Sequence, residues 1–391
     1  MIAFTFPGQG SQRPGFGHAW RDHPSWELVD EASEAAGRDV AALLLTADGD
    51  ELRQTRNAQL ATHVAGLVVL DAVERLGIEP AVVAGHSLGE YTALAASAVV
   101  ALDESVRLVV ERGDAMQAAA DERPGTMRVV LGLDDEQVAI ACARVADDVW
   151  PANFNGPGHT VIAGAPEAVK EAAAIARDLG ATKVLAVAVG GAFHTPLMAP
   201  ARPRLEKALA AVEWRPPATP VVANVDAMVH TGAAEWSRLS TAQLCSPVRW
   251  RQTMATLVDQ GVHTFVELGP GRVLTGLAKR GAPGVRTIAV ETPAGLDALL
   301  ELLAGAVVPP EPPGERPHLA ERLLVTPVAG VFRCSSRAAS GSTVAPGDEV
   351  GSVSGHPVRS AFGGRFMSFL AIEGERVTPS QPVAWLIDDH R

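Results

Sequence analysis

The chain reads as an α/β protein built on a mainly parallel sheet, with an inserted βαββαβ unit and a small all-β domain at its C-terminal end. Three observations predict this. Strand-like and helix-like segments alternate through the first 120 residues, and near Thr126 the order changes to β-α-β-β-α-β. Beyond the proline-rich run from Val308 to Pro317, short apolar stretches between Gly/Pro turns take over. Alternation of the first kind favours parallel strands, because a parallel pair needs a long crossover that a helix supplies.

In chain order, Ala3–Phe6 is a strand and Asp50–Leu76 carries helical apolar spacing. Ala81–Ala84 is a buried-type strand, followed by helices at Glu90–Val100 and Asp103–Ala120. The second rhythm comprises strand Met127–Leu133, helix Asp134–Val145 and strands Val149–Phe154 and Thr160–Ala163, then helix Glu167–Asp178 and strand Thr182–Val187. That order is the ferredoxin-like unit. It reads as an insertion, since the first pattern resumes at Pro220–Asn224 and His263–Leu268. The expected division is therefore a core from residues 1–124 and 191–305, an inserted subdomain at 125–190, a linker at 306–317 and a β domain at 318–391. Prolines in the linker favour extended chain and forbid helix. The last domain is doubled: the run from Thr326 to Val353 is echoed by the run from Ser360 to Leu386.

Composition narrows the function. Hydrophobic residues make up 47% and charged residues 20%, a globular balance that argues against disorder. The formal charge of −12 argues against a nucleic-acid binder, while leaving room for a local patch that meets an acidic carrier. The three cysteines are scattered and lack metal-ligand spacing, and no leader or membrane-spanning segment is evident. A cytoplasmic location is expected.

Chemistry concentrates at Gly85-His86-Ser87-Leu88-Gly89, set between the strand Ala81–Ala84 and a helix. A Gly-x-Ser-x-Gly in that setting is a nucleophile elbow, which makes the core α/β-hydrolase-like. Its small flanking residues permit a tight turn, and the following helix points N–H groups at charge developing on a bound carbonyl. Ser87 needs a base. His194, after the Gly190-Gly191 turn, is a loop histidine suited to take a hydroxyl proton near neutral pH and return it. His86 is adjacent to Ser87, but an elbow points neighbouring side chains apart, so a base distant in sequence is preferred. Arg112 interrupts an otherwise apolar helix; it either pairs with Glu111 or Asp114 at the surface or forms a fork for a substrate carboxylate. Pro7-Gly8-Gln9-Gly10-Ser11-Gln12 fails the dinucleotide spacing and lacks a following lysine, so its glycines and Gln9 suit approach to a reacting carbonyl better than phosphate binding.

In order along the chain, the runs Phe6–Gln12, Gly85–Tyr91, Arg112-Gly113, Asn153–Gly158, Ala192-Phe193-His194, Asn224–Ala227 and Glu267–Gly271 resemble malonyl-CoA:acyl-carrier-protein transacylases and the acyltransferase domains of polyketide synthases. The resemblance covers residues 1 to about 305. It implies Ser87 as nucleophile and His194 as base and acid, with an oxyanion hole from the Leu88 N–H and Gln9. It also implies Arg112 as receptor for the malonyl carboxylate, Gln59 and Asn155 at the substrate, and the Gln243 carbonyl as the group that orients His194. A dyad with a carbonyl would then replace a carboxylate-backed triad. Phe193 and Leu88 would close the space beside the malonyl Cα and disfavour branched units. The expected substrates are malonyl-CoA and a phosphopantetheinylated carrier protein, in fatty-acid or polyketide synthesis, with no metal, bound organic cofactor, nucleic acid or membrane.

The doubled C-terminal pattern resembles biotinyl/lipoyl carrier domains. Such domains present a modifiable lysine between their halves; here that hairpin is Ser354-Gly355-His356-Pro357-Val358, and the last lysine in the chain is Lys279. The domain is accordingly expected to carry no cofactor, and is either a docking or scaffolding module for a synthase or partner, or alike in fold only. Two other readings stand beside transfer: an acyl (thio)ester hydrolase of the same elbow chemistry, and a non-catalytic scaffold. An acid-binding Arg112 separates the first, and the intact Ser87, His194 and Arg112 argue against the second.

Overall fold

The computed structural model describes residues 1–304, 321–335 and 338–387. The linker expected at 306–317 lies outside the described residues. The chain divides into two compact units, Met1–Val307 and Val308–Arg391.

The first unit holds a six-stranded sheet of β1 (Ile2–Phe6), β2 (Val82–Gly85), β7 (Val221–Val222), β8 (Val229–His230), β9 (Thr264–Leu268) and β10 (Arg286–Val290), in the order β10-β9-β1-β2-β7-β8. All neighbours are parallel except β7 and β8. Helix Thr55–Glu74 is buried over most of its circumference, and its apolar run from Val64 to Leu70 leaves no polar face there. It packs with helix Leu102–Glu122 into the principal core, which contains Phe4, Leu60, Val64, Leu94, Val106 and Leu205.

Two helices differ from expectation. The stretch Asp50–Leu76 is two helices, Gly49–Arg53 and Thr55–Glu74, because Gln54 is extended and Asp48 caps the first turn of the short helix. The helix expected to reach Val100 ends at Ala96, since Ala98 turns left-handed and Val99 N–H closes back on the Leu94 carbonyl. Strand β7 is likewise shorter than Pro220–Asn224, because the Asn224 N–H is taken by the carboxylate of Glu90.

Between β2 and β7 the chain makes a second sheet from β3 (Thr126–Leu131), β4 (Val149–Gly156), β5 (His159–Gly164) and β6 (Lys183–Ala186). Its order is β4-β5-β3-β6 with every neighbour antiparallel. Helices Asp135–Ala143 and Pro166–Asp178 pack on it around Val130, Val138, Ile162 and Val169. The first of these opens with a reciprocal capping box between Asp134 and Gln137.

The second unit is all β. Its strands are β11 (Glu321–Val325), β12 (Gly330–Cys334), β13 (Thr343–Val344), β14 (Glu349–Val353), β15 (His356–Arg359), β16 (Gly364–Phe369), β17 (Arg376–Val377) and β18 (Pro382–Ile387). They form two four-stranded sheets, β11-β18-β16-β13 and β15-β14-β12-β17. Exchanging each strand for the one four places along converts one order into the other, so the sequence doubling is a doubling of topology. Matched turns show it atom by atom. Ala345 N–H donates to Asp348 Oδ2, and Thr378 N–H to Gln381 Oε1, each at a turn with a left-handed third residue, Gly347 or Ser380. Phe332, Phe366, Val350, Val383 and Leu386 fill the space between the sheets.

Candidate active site

Strands β1 and β2 are parallel neighbours in register, with Phe6 opposite Gly85, so the loops that follow them emerge side by side at the same end of the sheet. One loop carries Gln9 and the other Ser87. Ser87 adopts a left-handed backbone with φ of 53°, a conformation that costs a non-glycine residue about 1–2 kcal/mol. The flanking glycines make it possible. A Cβ on Gly85 would lie 1.8 Å from the Gly89 carbonyl carbon, and one on Gly89 would lie 2.0 Å from the Phe6 oxygen. Asn224 ties the turn together: its Oδ1 accepts from the Ser87 N–H at 2.6 Å, and its Nδ2 donates to the Gly85 carbonyl at 2.6 Å.

Gly89→Ala is therefore expected to be severely destabilising, by more than about 3 kcal/mol, because backbone rather than a movable side chain blocks the new methyl. Gly156→Ala, at a site with nothing within 4 Å of the added Cβ, should stay within about 1 kcal/mol of the parent. Denaturant unfolding of the two variants compares them directly, and equal midpoints would refute the steric account of the elbow.

His194 reaches Ser87 from the loop after β6, itself in a left-handed conformation. Its Nε2 lies 2.7 Å from Ser87 Oγ, and its Nδ1 lies 2.9 Å from the main-chain oxygen of Gln243. A carbonyl only accepts, so Nδ1 carries the proton and the Nε2 lone pair faces the hydroxyl. Burial, and then the positive charge of Arg112, push the imidazole pKa down to about 3. The ring is thus neutral at physiological pH, with its Nε2 lone pair directed at the hydroxyl.

Arg112 is almost wholly buried and does not pair with Glu111 or Asp114, both of which meet Arg204. Its Nη1 donates to Gln59 Oε1 at 2.6 Å; its Nη2 donates to Gln243 Oε1 at 2.9 Å and to Ser87 Oγ at 3.3 Å. The guanidinium carbon lies 5.2 Å from the centre of the Tyr91 ring. Its Nε–H has no acceptor among the described residues. Gln59 also donates to Gln9 Oε1 and to the Met116 sulfur. Their partners Gln9, Ser87 and Met116, with Asn155, Phe193 and His194, line a cleft of about 320 Å³. Asn155 is held by His86, whose Nε2 lies 2.8 Å from Asn155 Oδ1.

One expectation is corrected. The Leu88 side chain is fully buried in the principal core and does not line the cleft. Leu88 is the residue just before helix Gly89–Ala96, and its side chain turns inward. Phe193 does line the cleft, together with Met116.

Asn224, Glu90 and Met116 had no place in the sequence reading of the site. Asn224 and Glu90 sit inside quoted motifs, and the available signal was a polar residue beside an apolar strand or in the first turn of a buried helix. Among the described residues, no three His, Cys, Asp or Glu side chains are grouped to hold a metal ion, and no helix is long and apolar enough to cross a membrane.

Fold and site together define an α/β protein of the nucleophile-elbow class. The chain belongs to the acyl transferase domain family, whose model matches residues 3–297. It is 38% identical over 307 residues to the malonyl CoA-acyl carrier protein transacylase of Bacillus subtilis, covering 77% of this chain and 97% of that one. With the Escherichia coli K12 transacylase the identity is 40%, covering 77% and 99%. Among solved structures, a malonyl-transacylase in complex with its type II PKS acyl-carrier protein aligns with a TM-score of 0.75 at 39% identity, over 77% of this chain and 99% of that one. The malonyl-CoA:acyl carrier protein transacylase of Xanthomonas oryzae aligns with a TM-score of 0.74 at 42% identity, over 77% and 98%.

Proposed function

We propose that this chain transfers the malonyl group from malonyl-CoA to the phosphopantetheine thiol of an acyl carrier protein, through a malonyl ester on Ser87. The observation that carries the reading is a buried guanidinium 3.3 Å from the nucleophile hydroxyl, which itself lines a cleft with no Asp, Glu, Lys or Arg in its lining. A general esterase has no use for a buried cation there, whereas a malonyl donor keeps a free carboxylate that needs one.

His194 Nε2 takes the Ser87 proton as Oγ attacks the thioester carbon. The resulting oxyanion is held by the Leu88 N–H and Gln9. When the C–S bond breaks, His194 returns the proton to the leaving thiol of CoA. The carrier thiol then repeats the sequence in reverse, giving its proton to His194 and its sulfur to the malonyl carbon. Arg112 holds the carboxylate, Gln59 holds Arg112, Asn155 borders the acyl chain and Phe193 limits its branching. A single methyl excluded by shape is worth only about 1–3 kcal/mol, so branched donors should react slowly.

We read residues 1–124 and 191–305 as the acyltransferase core, 125–190 as its inserted ferredoxin-like subdomain and 318–391 as a biotinyl/lipoyl-like domain that carries no cofactor and serves docking. The eight strands in two exchangeable sheets support that likeness, and the absence of lysine after Lys279 supports the lack of an attached group. A cytoplasmic site of action fits the substrates.

Intact-mass measurement after incubation with a panel of acyl-CoAs tests the assignment. A malonyl-sized gain, discharged by holo carrier protein, is expected. Discharge to free malonate at the same rate without carrier would favour the hydrolase instead.

A further inference from the structure

Glu90 is fully buried one turn from the nucleophile, yet it takes no part in the chemistry above. Its Oε1 accepts from Gln243 Nε2 at 2.9 Å, and its Oε2 accepts from the Asn224 N–H. Each partner is a fastener of the site. Asn224 staples the Ser87 turn. Gln243 orients His194 through its main-chain oxygen and Arg112 through its side-chain oxygen, and its Nε2 also donates to the Ser87 carbonyl.

A carboxamide has two ends that are nearly the same shape and opposite in hydrogen-bonding sense. Flipped by half a turn, Gln243 would present N–H to Arg112 and oxygen to the Ser87 carbonyl. Arg112, which only donates, and the Ser87 carbonyl, which only accepts, oppose the flip, and a carboxylate, which accepts at both oxygens, adds a fixed acceptor at the Nε2 end. We propose that Glu90 is a positioning residue that locks the Gln243 carboxamide, and through it holds Arg112 and His194 in register with Ser87. Both neighbours donate, which calls for the ionised form; burial opposes that form and raises the carboxyl pKa to about 8, against the pull of the Asn224 N–H and the Arg112 charge, so the two-acceptor form prevails above that pH. Its place in the first turn of helix Gly89–Ala96 also favours an acidic side chain. The proposal rests on the transfer reading only for the role of Arg112.

Glu90→Gln tests it while preserving shape, since an amide must turn an NH2 toward either Gln243 Nε2 or the Asn224 N–H. Two rates are read in the full chain. Phosphonylation of Ser87 by an uncharged fluorophosphonate reports the Ser87–His194 pair whatever the natural acyl group. Acylation by malonyl-CoA reports the Arg112 arm, measured also in the Arg112→Ala background as a double-mutant cycle. Both rates should fall about 10-fold or more, malonyl acylation further than phosphonylation, and once Arg112 is gone the malonyl cost should shrink to that of phosphonylation. Equal malonyl costs in the two backgrounds, or an unchanged phosphonylation rate, would overturn the proposal, because a residue that only stabilises the fold gives no coupling to Arg112. Should Glu90→Gln fail to fold, Glu90→Asp is carried through the same cycle. It keeps both acceptors but withdraws them from their partners, and the same two losses and the same coupling are expected. A parent protein that is phosphonylated but takes no malonyl would instead refute the transfer reading, leaving Glu90 to be judged on the phosphonylation rate.

Discussion

Ser87→Ala is expected to eliminate the covalent acyl adduct and to lower transfer on the order of a million-fold, the scale seen when a nucleophile backed by a fixed base is removed. The alteration deletes one oxygen. It leaves the left-handed turn, the Asn224 staple and the two indispensable glycines in place. Its cost to stability should therefore be about 1 kcal/mol or less. Intact mass should show a malonyl-sized gain on the parent alone, with matching thermal unfolding curves. An adduct that persists on the variant would place the nucleophile elsewhere.

Arg112→Ala should slow malonyl acylation by about 30- to 1000-fold, the loss of a charge-assisted, water-excluded contact of about 2–4 kcal/mol. It should also leave the oxygens of Gln59 and Gln243 without their donor, and so cost stability as well as rate. The discriminating measurement is a ratio. Acetyl-CoA has no distal carboxylate, so the preference for malonyl over acetyl should collapse in the variant. Equal losses for both donors would assign Arg112 to the architecture of the site rather than to substrate recognition. Arg112→Lys should recover only part of the malonyl rate, because a point charge cannot serve two glutamine oxygens and a substrate from one planar fork.

What the sequence disclosed and what it hid follow from the range of the interactions involved. The elbow was legible because its motif lies within five consecutive residues, although only the glycine at 85 is obligatory for local reasons and the one at 89 is dictated by the Phe6 backbone. The doubled β domain was legible because its matched turns repeat in the chain, as in Ala345-Pro346-Gly347-Asp348 and Thr378-Pro379-Ser380-Gln381. The hydrogen bonds that fasten the site span far more chain. Asn224 and Glu90 are 134 residues apart, and Gln243 and Ser87 are 156 apart. No periodicity records such pairs. Leu88 shows the opposite failure: its position beside the nucleophile was misleading about its side chain, which packs into the core. Helix ends were lost in the same way, since the left-handed step at Ala98 carries no glycine to announce it.

The interchange of strands in the C-terminal unit bears on how that unit comes apart. Each of its sheets draws two strands from the first half of the repeat and two from the second. Neither half owns a complete sheet, so neither can persist as a separate folded piece. Loss of one half exposes the apolar face of both sheets at once. The unit should accordingly melt in a single cooperative step, and its assembly must wait for pairings between distant segments such as β11 with β18. A cut at the exposed Ser354-Gly355 hairpin would yield two fragments with no stable structure of their own, each able to recover order only by finding the other.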